Sequence, residues 1–596
     1  MTPRSQVRSP SAAPLARARQ EFPARQAALA TALFCLCAGW YLFWTYHALD
    51  EILMGDELIS IGIYQHLAAH GTFPDSGLVR VSFDHPPLMY LTYGELLTRL
   101  GVTVAAARLL GVFSVLGMGL LIFYIARRVN EQDGWWLGVL AWAVICANPF
   151  TVHGSLLPDM ISTYVPLFFL AAVAGELRQP EENGLTLWWR TVVIALMAWT
   201  HLFSAILLGG AYLIEPLVRR WHLGRPSPVG RPMVLRFISV TLGWLAFLAS
   251  WAWFCKDHGD RFALPFKHLA EKVLSQSSAE LTITGLAQNA ASVVAWVTPW
   301  YALMALAALW ACWKKRIYVP YLLILLAVAN LAVYSMGGGA VTHGVPKYHY
   351  SIVSLFALLI AAWGRAGLQN VPGRVWVLAG AWALIFLAIQ LCVIGDPIYA
   401  VYYQLREAAL AGAAPIWNAV TRPLAWKYLL VAALLGILAM IFRRYRAAFL
   451  LACYLGSATG MLWLQFQAPY MTNYCYGGDK RETEAVLAFL RRQTIPLQDM
   501  MLTADLYHHL GWGVRGFMEG ADSRYRTAER FLPHARKAAL IVIGLPINSV
   551  TTYQTVLGNA EVQRMLAHDF DRITIGSYFI WIRKNDLLKQ NQARPL

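Results

Sequence analysis

Two adjacent carboxylates, Asp56 and Glu57, follow the first long apolar run of the 596-residue chain. A carboxylate at the boundary between water and lipid can take a proton from a hydroxyl or amine acceptor. A neighbouring cation can hold the phosphate that leaves in a group transfer. These residue types therefore suit transfer of a group from a phosphate donor anchored in a bilayer, because the reactive head of such a donor lies at the same height.

Further ionisable residues are expected on the same side of the membrane as this acidic pair. Ionisable side chains at membrane depth are costly and are a functional hint by default. Those expected near the acidic pair come from several separate segments: Arg80, Asp84, His85, His153, Asp159, His201, His343, Lys347 and His349. Their convergence predicts a single polar cavity that opens to the outer side.

The composition places these residues in a polytopic membrane protein. The chain is 58% hydrophobic and only 14% charged, which is far from a soluble globular protein. Its net charge of +16 is explained by Lys and Arg on cytoplasmic loops, so no nucleic-acid partner is expected. The eight cysteines lie mostly in apolar runs and lack a framework spacing, which predicts buried small residues rather than disulfides.

Hydropathy and loop charge together predict the topology. Eleven apolar runs stand out, at 27–49, 104–126, 134–150, 158–175, 233–254, 291–312, 317–335, 348–363, 374–394, 426–442 and 446–464. A twelfth, 188–217, is long for one span, and basic residues flank both of its ends. We expect it to cross the membrane and return, with a break near Thr200-His201. The result is about 13 transmembrane helices with the N-terminus inside and the C-terminal region outside.

Three regions are expected along the chain. Residues 1–26 read as a disordered cytoplasmic tail ahead of an uncleaved first helix, 27–465 as the transmembrane domain and 466–596 as a small α/β domain. In this last region the pattern predicts an amphipathic helix at 478–493 and another at 550–569. Strands are predicted at 500–505, 538–544 and 572–584.

A family resemblance follows from motifs in the first outer loop and beyond. The order and spacing of four motifs carry it: Asp56-Glu57, Gly71-Thr72-Phe73, Pro86-Pro87-Leu88 with Tyr90, and Ala106-Ala107-Arg108-Leu109. They resemble GT-C class membrane glycosyltransferases, in the branch of lipid A aminoarabinose and protein mannosyltransferases. Later segments continue the resemblance: Asn148-Pro149 with Pro158-Asp159, Thr200-His201, and Val345-Pro346-Lys347-Tyr348. The resemblance implies an all-α GT-C membrane fold, here with a C-terminal α/β domain in the periplasm.

The same resemblance implies a chemistry and roles for particular residues. Asp56 would be the catalytic base of one inverting displacement at the sugar C1, with Glu57 and Asp159 completing the catalytic set. Lys347 and Arg80 would hold the donor phosphate, together with His85 and His201, which stand where the family often has Lys. The donor would be a polyprenyl-phosphate sugar, and the acceptor a lipid, a glycan or a protein. Separately from the resemblance, the composition and the Arg-rich N-terminal tail suit a bacterial inner membrane, where outside means the periplasm.

Other interpretations of these residues remain open at this point. The acids Asp56, Glu57 and Asp159 could cap helices, Lys347 could reach the membrane interface, and His201 could satisfy backbone groups at a helix break. No cofactor is expected. A divalent metal is the alternative, although the residues that could bind it lack the tight spacing of a metal motif: Asp84, His85, His153, His343 and His349.

A lipid or solute transporter is the main alternative function. Such a protein would place polar groups at the bilayer midplane on paired broken helices, and only one break is predicted. A ligase that moves a whole glycan from a diphosphate carrier would need more fixed positive charge outside.

Overall fold

The structure is a computed structural model that describes most of the chain. The described residues are 24–49, 63–64, 66–71, 86–101, 103–131, 133–157, 161, 163–178, 183–223, 230–256, 262–278, 293–294, 296–336, 347–369, 371–396, 430, 433, 436–437, 445–467, 470–472, 477–502, 506, 510, 527–544 and 556–584.

Helices make up the membrane part of the described chain. In chain order they are α1 (Ala24–Tyr46), α2 (Leu88–Leu100), α3 (Val104–Val129), α4 (Gly134–Cys146), α5 (Pro149–Leu156), α6 (Tyr164–Arg178), α7 (Gly184–Thr200), α8 (Leu202–Leu223), α9 (Gly230–Lys256), α10 (Leu264–Ser278), α11 (Pro299–Trp313), α12 (Tyr321–Met336), α13 (Ser351–Leu368), α14 (Gly373–Ile389) and α15 (Arg446–Gln467). A 3-10 turn, Lys347–His349, precedes α13, and a π-helical turn, Gln390–Ile394, follows α14.

The lengths and apolar character of these helices confirm a polytopic membrane fold. Within the described residues, seven helices are long and apolar enough to cross a membrane, or up to eight if α4 and α5 form one broken span. Helices α11 and α12 are shorter and also apolar. The total of about 13 spans stays a prediction, because most of the run 426–442 lies outside the described residues.

Local sequence signals set several helix boundaries. Thr103 caps α3 with a side chain that accepts a hydrogen bond from the Ala106 N–H, and Asn183 caps α7 in the same way. The expected break of the run 188–217 is confirmed, since α7 ends at Thr200 and α8 begins at Leu202. The resulting helices have 17 and 22 residues, so they are longer than the short pair that the sequence suggests.

Helices α14 and α15 approach each other closely. A Cβ added at Gly456 of α15 would collide with the carbonyl oxygen of Ala383 in α14. Only glycine therefore allows this contact between the two backbones, as small residues do where membrane helices pack tightly.

A buried cluster of charges ties four consecutive helices together. Glu176 of α6 accepts hydrogen bonds from Arg190 of α7 and from Arg236 of α9, the latter at 3.1 Å. Arg236 also donates to Glu215 of α8 at 2.8 Å. The side chain of Arg190 is only 1% exposed and that of Arg236 only 4%. We call these four residues the ion cluster; hydropathy alone does not reveal it.

The C-terminal part contains a mixed sheet with helices on both faces. Its helices are α16 (Lys480–Arg491), α17 (Ala528–Ala535) and α18 (Ala560–Asp569). Its strands are β1 (Tyr470–Thr472), β2 (Gly477–Asp479), β3 (Met500–Met501), β4 (Leu540–Gly544), β5 (Phe570–Ile575) and β6 (Tyr578–Arg583). Strands β1 and β2 form an antiparallel pair, and the larger sheet has the order β3-β4-β6-β5 with only β3 and β4 parallel.

Alternate residues of the central strands fill two separate cores. Ile541 and Ile543 pack with α17 and α18, while Leu540 and Val542 pack with α16. This alternation is the expected period of a strand with both faces covered. The predicted small α/β domain is thus confirmed as a fold.

One strand prediction in the C-terminal part was wrong in detail. The segment 572–584 is predicted as one strand, but it forms a hairpin whose turn contains Gly576 at φ +55°. The turn is fixed from outside, because Glu482 of α16 accepts a hydrogen bond from the Ser577 N–H at 2.9 Å. Within the predicted helix 550–569, the α-helix begins at Ala560 and is capped by the Asn559 side chain.

Candidate functional site

The structure describes only part of the predicted site. Asp56, Glu57, Arg80, His85 and Asp159 lie outside the described residues, so their convergence stays a prediction. Lys347 is described as the first residue of a 3-10 turn, without its side chain. His201 is fully described.

His201 occupies the break between α7 and α8 and caps the second helix. Its Nδ1 accepts a hydrogen bond from the backbone N–H of Ser204 at 3.3 Å, and it lies 2.8 Å from the Ser204 hydroxyl. With Nδ1 as the acceptor, Nε2 is the ring nitrogen left to donate a hydrogen bond. The side chain therefore satisfies backbone groups at the helix break, one of the two roles considered for it. Any contact with phosphate would have to use Nε2–H as the donor.

The Lys347 turn lies beside this helix break. The Ser204 hydroxyl is 3.4 Å from the Tyr334 hydroxyl near the end of α12. The Tyr334 ring stacks on Tyr348 with centroids 5.3 Å apart, and meets the ring of His349 edge-on at 6.1 Å. The structure thus brings together two segments that the sequence assigns to phosphate binding, the one at His201 and the one at Lys347.

Helix α5, the second half of the broken pair α4 and α5, is connected by hydrogen bonds to other elements near the site. The two helices are bent by 70° at Asn148-Pro149, and residues 151–157, which separate the predicted apolar runs 134–150 and 158–175, belong mainly to helix α5. Asn148 is fully buried; its Oδ1 accepts from the Phe150 N–H at 2.9 Å and its Nδ2 donates to the Val297 carbonyl at 3.1 Å. A single side chain therefore caps α5 and holds the segment that leads into α11.

That segment contains a strained residue. Thr298 has φ +73°, which is rare for a β-branched residue, and it is fully buried. Its hydroxyl accepts a hydrogen bond from the Tyr301 N–H and so caps α11. Strain of this kind persists only where the surroundings enforce it, and it often lies near functional sites.

Helix α5 also contacts the turn that follows Lys347. The Tyr350 hydroxyl donates to the Thr151 carbonyl at 3.3 Å, and the rings of Phe150 and Tyr350 lie 5.8 Å apart. The Tyr350 side chain is buried, so this bond satisfies a hydroxyl that lies away from solvent. At the other end of α5, His153 Nε2 donates to Gln465 Oε1 of α15 at 2.6 Å.

A buried arginine holds the segment that follows α1 and leads along the chain to the acidic pair. Arg108 is 3% exposed, and its Nη1 donates to the carbonyls of Ala48 at 2.9 Å and Leu49 at 3.1 Å. These are carbonyls at the end of a helix, where a cationic donor is favourable. Asp56 follows Leu49 by only seven residues. The Ala106-Ala107-Arg108-Leu109 motif marks this arginine in the sequence, but not its partners.

The described residues contain no cluster suited to a metal. None of them form a group of three or more His, Cys, Asp and Glu side chains that could hold an ion. The metal alternative depends largely on Asp84, His85 and His343, which lie outside the described residues.

Comparison with known proteins decides the fold class. No family model matches the sequence, and no curated protein sequence matches it. The structure is similar to that of ArnT, the lipid A aminoarabinose transferase, from Cupriavidus metallidurans bound to undecaprenyl phosphate. That similarity has a TM-score of 0.52 at 15% identity and covers 94% of this chain and 98% of that one. The chain has the GT-C fold.

Two further structures are similar at lower scores. The apo state of the same ArnT gives a TM-score of 0.50 at 14% identity, with 94% of this chain and 98% of that one covered. An Archaeoglobus fulgidus oligosaccharyltransferase tethered to an acceptor peptide gives 0.46 at 11% identity, with 93% and 74% covered. The extent of the match to ArnT confirms the GT-C fold expected from the first-loop motifs, across both the membrane part and the C-terminal part.

Proposed function

We propose that this protein is a glycosyltransferase that moves a sugar from a polyprenyl-phosphate donor to a lipid, glycan or protein acceptor. One observation carries the proposal: the chain shares the GT-C fold over nearly its whole length with ArnT, in a structure that holds undecaprenyl phosphate. A polyprenyl phosphate is the part that remains when such a donor gives up its sugar. The motifs of the first loop, Asp56-Glu57 above all, support the same chemistry.

The proposed reaction is one displacement at the sugar C1. Asp56 takes the proton from the acceptor hydroxyl or amine as its oxygen or nitrogen attacks C1. The bond between C1 and the phosphate oxygen breaks, its electron pair stays on the phosphate, and the configuration at C1 inverts. Glu57 and Asp159 orient the acceptor and the base.

The leaving phosphate needs positive charge and hydrogen-bond donors. Lys347 and Arg80 supply the charge, and His85 assists them. His201 donates through Nε2, since its Nδ1 is engaged by Ser204. The contact of Tyr334 with Tyr348 supports this grouping, because it holds the Lys347 turn next to the helix break.

The proposal includes a location and a domain organisation. The proposed location is a bacterial inner membrane, and loop charges favour an N-terminus in the cytoplasm and a site open to the periplasm. Residues 27–465 would be the catalytic membrane domain, and 466–596 a periplasmic domain close to the acceptor. In support, α15 ends at Gln467 and the first strand of the C-terminal part begins at Tyr470.

The proposal is tested by lipid mass spectrometry on cells that lack the protein. We expect a polyprenyl-phosphate sugar to accumulate in the deletion strain and in cells complemented with Asp56→Asn, but not with the wild type. Glu95→Gln is the matched control, because Glu95 is an exposed acid that pairs with Arg99 on the surface of its own helix, and it should complement fully. The accumulated lipid would also identify the sugar.

The other outcomes are equally informative. If no polyprenyl-phosphate sugar changes in the deletion, the glycosyltransferase proposal is wrong and a transporter becomes the better interpretation. If the deletion accumulates donor but Asp56→Asn complements, the reaction class stands and the proposed base is wrong.

A second variant tests the proposed role of His201. His201→Asn keeps a side chain that can cap α8 but removes the Nε2–H donor. We expect normal amounts of folded protein and donor accumulation at a level between those of the wild type and Asp56→Asn. Full complementation would limit His201 to its capping role.

A further inference from the structure

A basic patch lies where α8 ends and the turn between α11 and α12 begins, away from the predicted site. We use the name basic patch for five cations, which are Arg219, Arg220, Lys314, Lys315 and Arg316. The two helix ends are held together by aromatic and histidine contacts. Trp221 and Trp313 have ring centroids 5.2 Å apart, and His222 Nε2 donates to the Trp313 carbonyl at 2.9 Å.

The positive charge of this patch is largely uncompensated. Arg219 pairs with Glu215 at 3.4 Å. Within the described ranges, no carboxylate lies within salt-bridge distance of Arg220, Lys315 or Arg316, and all three are exposed. By contrast, Arg365 near the end of α13 pairs with Asp133 at 2.9 Å.

Lys315 adopts a backbone conformation that usually belongs to glycine. Its φ is +57°, and of the described non-glycine residues only Thr298 shares a positive value. Its N–H donates to the Cys312 carbonyl at 2.8 Å, and the next N–H, of Arg316, donates to the Ala311 carbonyl at 2.9 Å. This pair of bonds is the Schellman ending of a helix, in which the left-handed residue is usually Gly. Lysine carries a steric cost there that glycine would not.

The orientation rule for membrane proteins explains part of this pattern. It accounts for basic residues on one side of the membrane. It does not call for a lysine at a left-handed position, nor for cations to converge beside exposed tryptophans from two helices. Trp313 is 52% exposed and Trp221 is 67% exposed, as expected of rings at the level of lipid headgroups.

These observations together point to a ligand with negative charge at the headgroup level. Phosphate oxygens are strong acceptors for the N–H groups of Lys and Arg. We propose that the basic patch binds the phosphate of an anionic phospholipid in the leaflet on that side of the membrane, with Trp221 and Trp313 packing against the lipid. This site is separate from the proposed glycosyl transfer and does not depend on it.

The proposal is tested with the purified full-length chain in detergent. Native mass spectrometry would count bound lipids during titration with phosphatidylglycerol, and with phosphatidylcholine for comparison. We expect Lys315→Gln with Arg316→Gln to weaken phosphatidylglycerol binding about 25-fold, since each cation near an anionic headgroup is worth about fivefold. Phosphatidylcholine binding should not change.

A charge-matched pair of substitutions serves as the control. Arg374 and Arg446 are exposed cations at the starts of α14 and α15, expected on the same side of the membrane. Arg374→Gln with Arg446→Gln removes the same charge and should leave phosphatidylglycerol binding within about twofold of the wild type. Equal weakening by both pairs would mean general electrostatic attraction and would overturn the proposal.

Lys315→Gly separates lipid binding from folding. Glycine suits φ +57°, so this variant should unfold at the same temperature as the wild type or a higher one, yet bind phosphatidylglycerol about fivefold more weakly. Unchanged affinity in this variant would overturn the role of Lys315. Inorganic phosphate at the same concentration should not displace the lipid; full displacement would show that the patch binds free phosphate instead.

Discussion

Removing one carboxylate from the ion cluster should destabilise the membrane domain strongly. Glu176 accepts hydrogen bonds from both buried arginines, Arg190 and Arg236. Glu176→Gln keeps the size of the side chain but removes its negative charge. Glu215, which pairs with Arg236, is then the remaining acid of the cluster, and Arg190, only 1% exposed, has lost the negative charge of Glu176.

The magnitude follows from the distances in the cluster. Opposite charges about 3 Å apart attract by about 5 kcal/mol at an effective dielectric constant of about 20. The net loss of stability is smaller than this attraction, because the new side-chain amide would still accept one hydrogen bond and the cost of burying a carboxylate disappears. Breaking a buried pair on one side typically costs about 3–5 kcal/mol, which is the effect expected here.

A second substitution tells charge imbalance from general loss of packing. Combining Glu176→Gln with Arg190→Met leaves one buried arginine, Arg236, and one buried acid, Glu215, 2.8 Å apart, with the exposed Arg219 also 3.4 Å from that acid. We expect the double variant to be more stable than Glu176→Gln alone, with a coupling energy of about 2 kcal/mol. The surface control Glu95→Gln should change stability by less than about 0.5 kcal/mol, since its side chain is 67% exposed.

Titration of purified variants with sodium dodecyl sulfate in mixed micelles would measure the free energy of unfolding. Tryptophan fluorescence would follow the transition. If Glu176→Gln is as mild as Glu95→Gln, the cluster does not stabilise the fold as reasoned. If the double variant loses as much stability as Glu176→Gln and Arg190→Met lose when measured separately and added, packing and not charge balance holds the four helices together.

Three further predictions concern other parts of the chain. Cells with Arg108→Gln should accumulate donor lipid as cells with Asp56→Asn do. Cells with Arg108→Lys should accumulate less, because lysine keeps one hydrogen-bond donor for the carbonyls at the end of α1. Equal complementation by both variants would refute a positioning role for Arg108. Arg583→Gln should lower the stability of the C-terminal part by about 1–2 kcal/mol, because the guanidinium donates to three carbonyls at the end of α17. Near-UV circular dichroism during heating would measure the loss, and an unchanged unfolding transition would contradict this prediction. Gly456→Ala should reduce the yield of folded protein by forcing α15 away from Ala383, whereas Gly380→Ala, where the added Cβ meets no atom within 4 Å, should not; size-exclusion chromatography would compare them.

Much of the fold could be predicted because hydropathy and charge act locally. The runs that become α1, α3, α9 and α15 are apolar over a bilayer's thickness, and a helix satisfies all of their backbone groups in lipid. The break at His201 followed from charge alone, since arginines on both sides of one long run require it to return. Strand β4 is recognisable as a short apolar run bounded by turn residues, whereas β6 lies inside the segment 572–584 that is predicted as one strand.

Other features depend on partners that are distant in the sequence. Asn148 is part of a motif in the sequence, but its bond to the Val297 carbonyl joins residues 149 positions apart. Arg108 is part of a recognisable motif, yet its acceptors lie 59 and 60 residues earlier in the chain. A sequence pattern carries no distance information at that range.

The amino-acid sequence is enough to predict a polytopic membrane protein, to assign its loops to each side and to find the motifs that resemble a GT-C transferase. These properties depend on transfer of each segment from water to lipid and on short spacings. The pairing of charges, as in the ion cluster, and the unusual backbone conformations, as at Lys315, are visible only in the folded structure. The folded structure also shows that His201 caps α8, with its ring Nδ1 next to the Ser204 N–H.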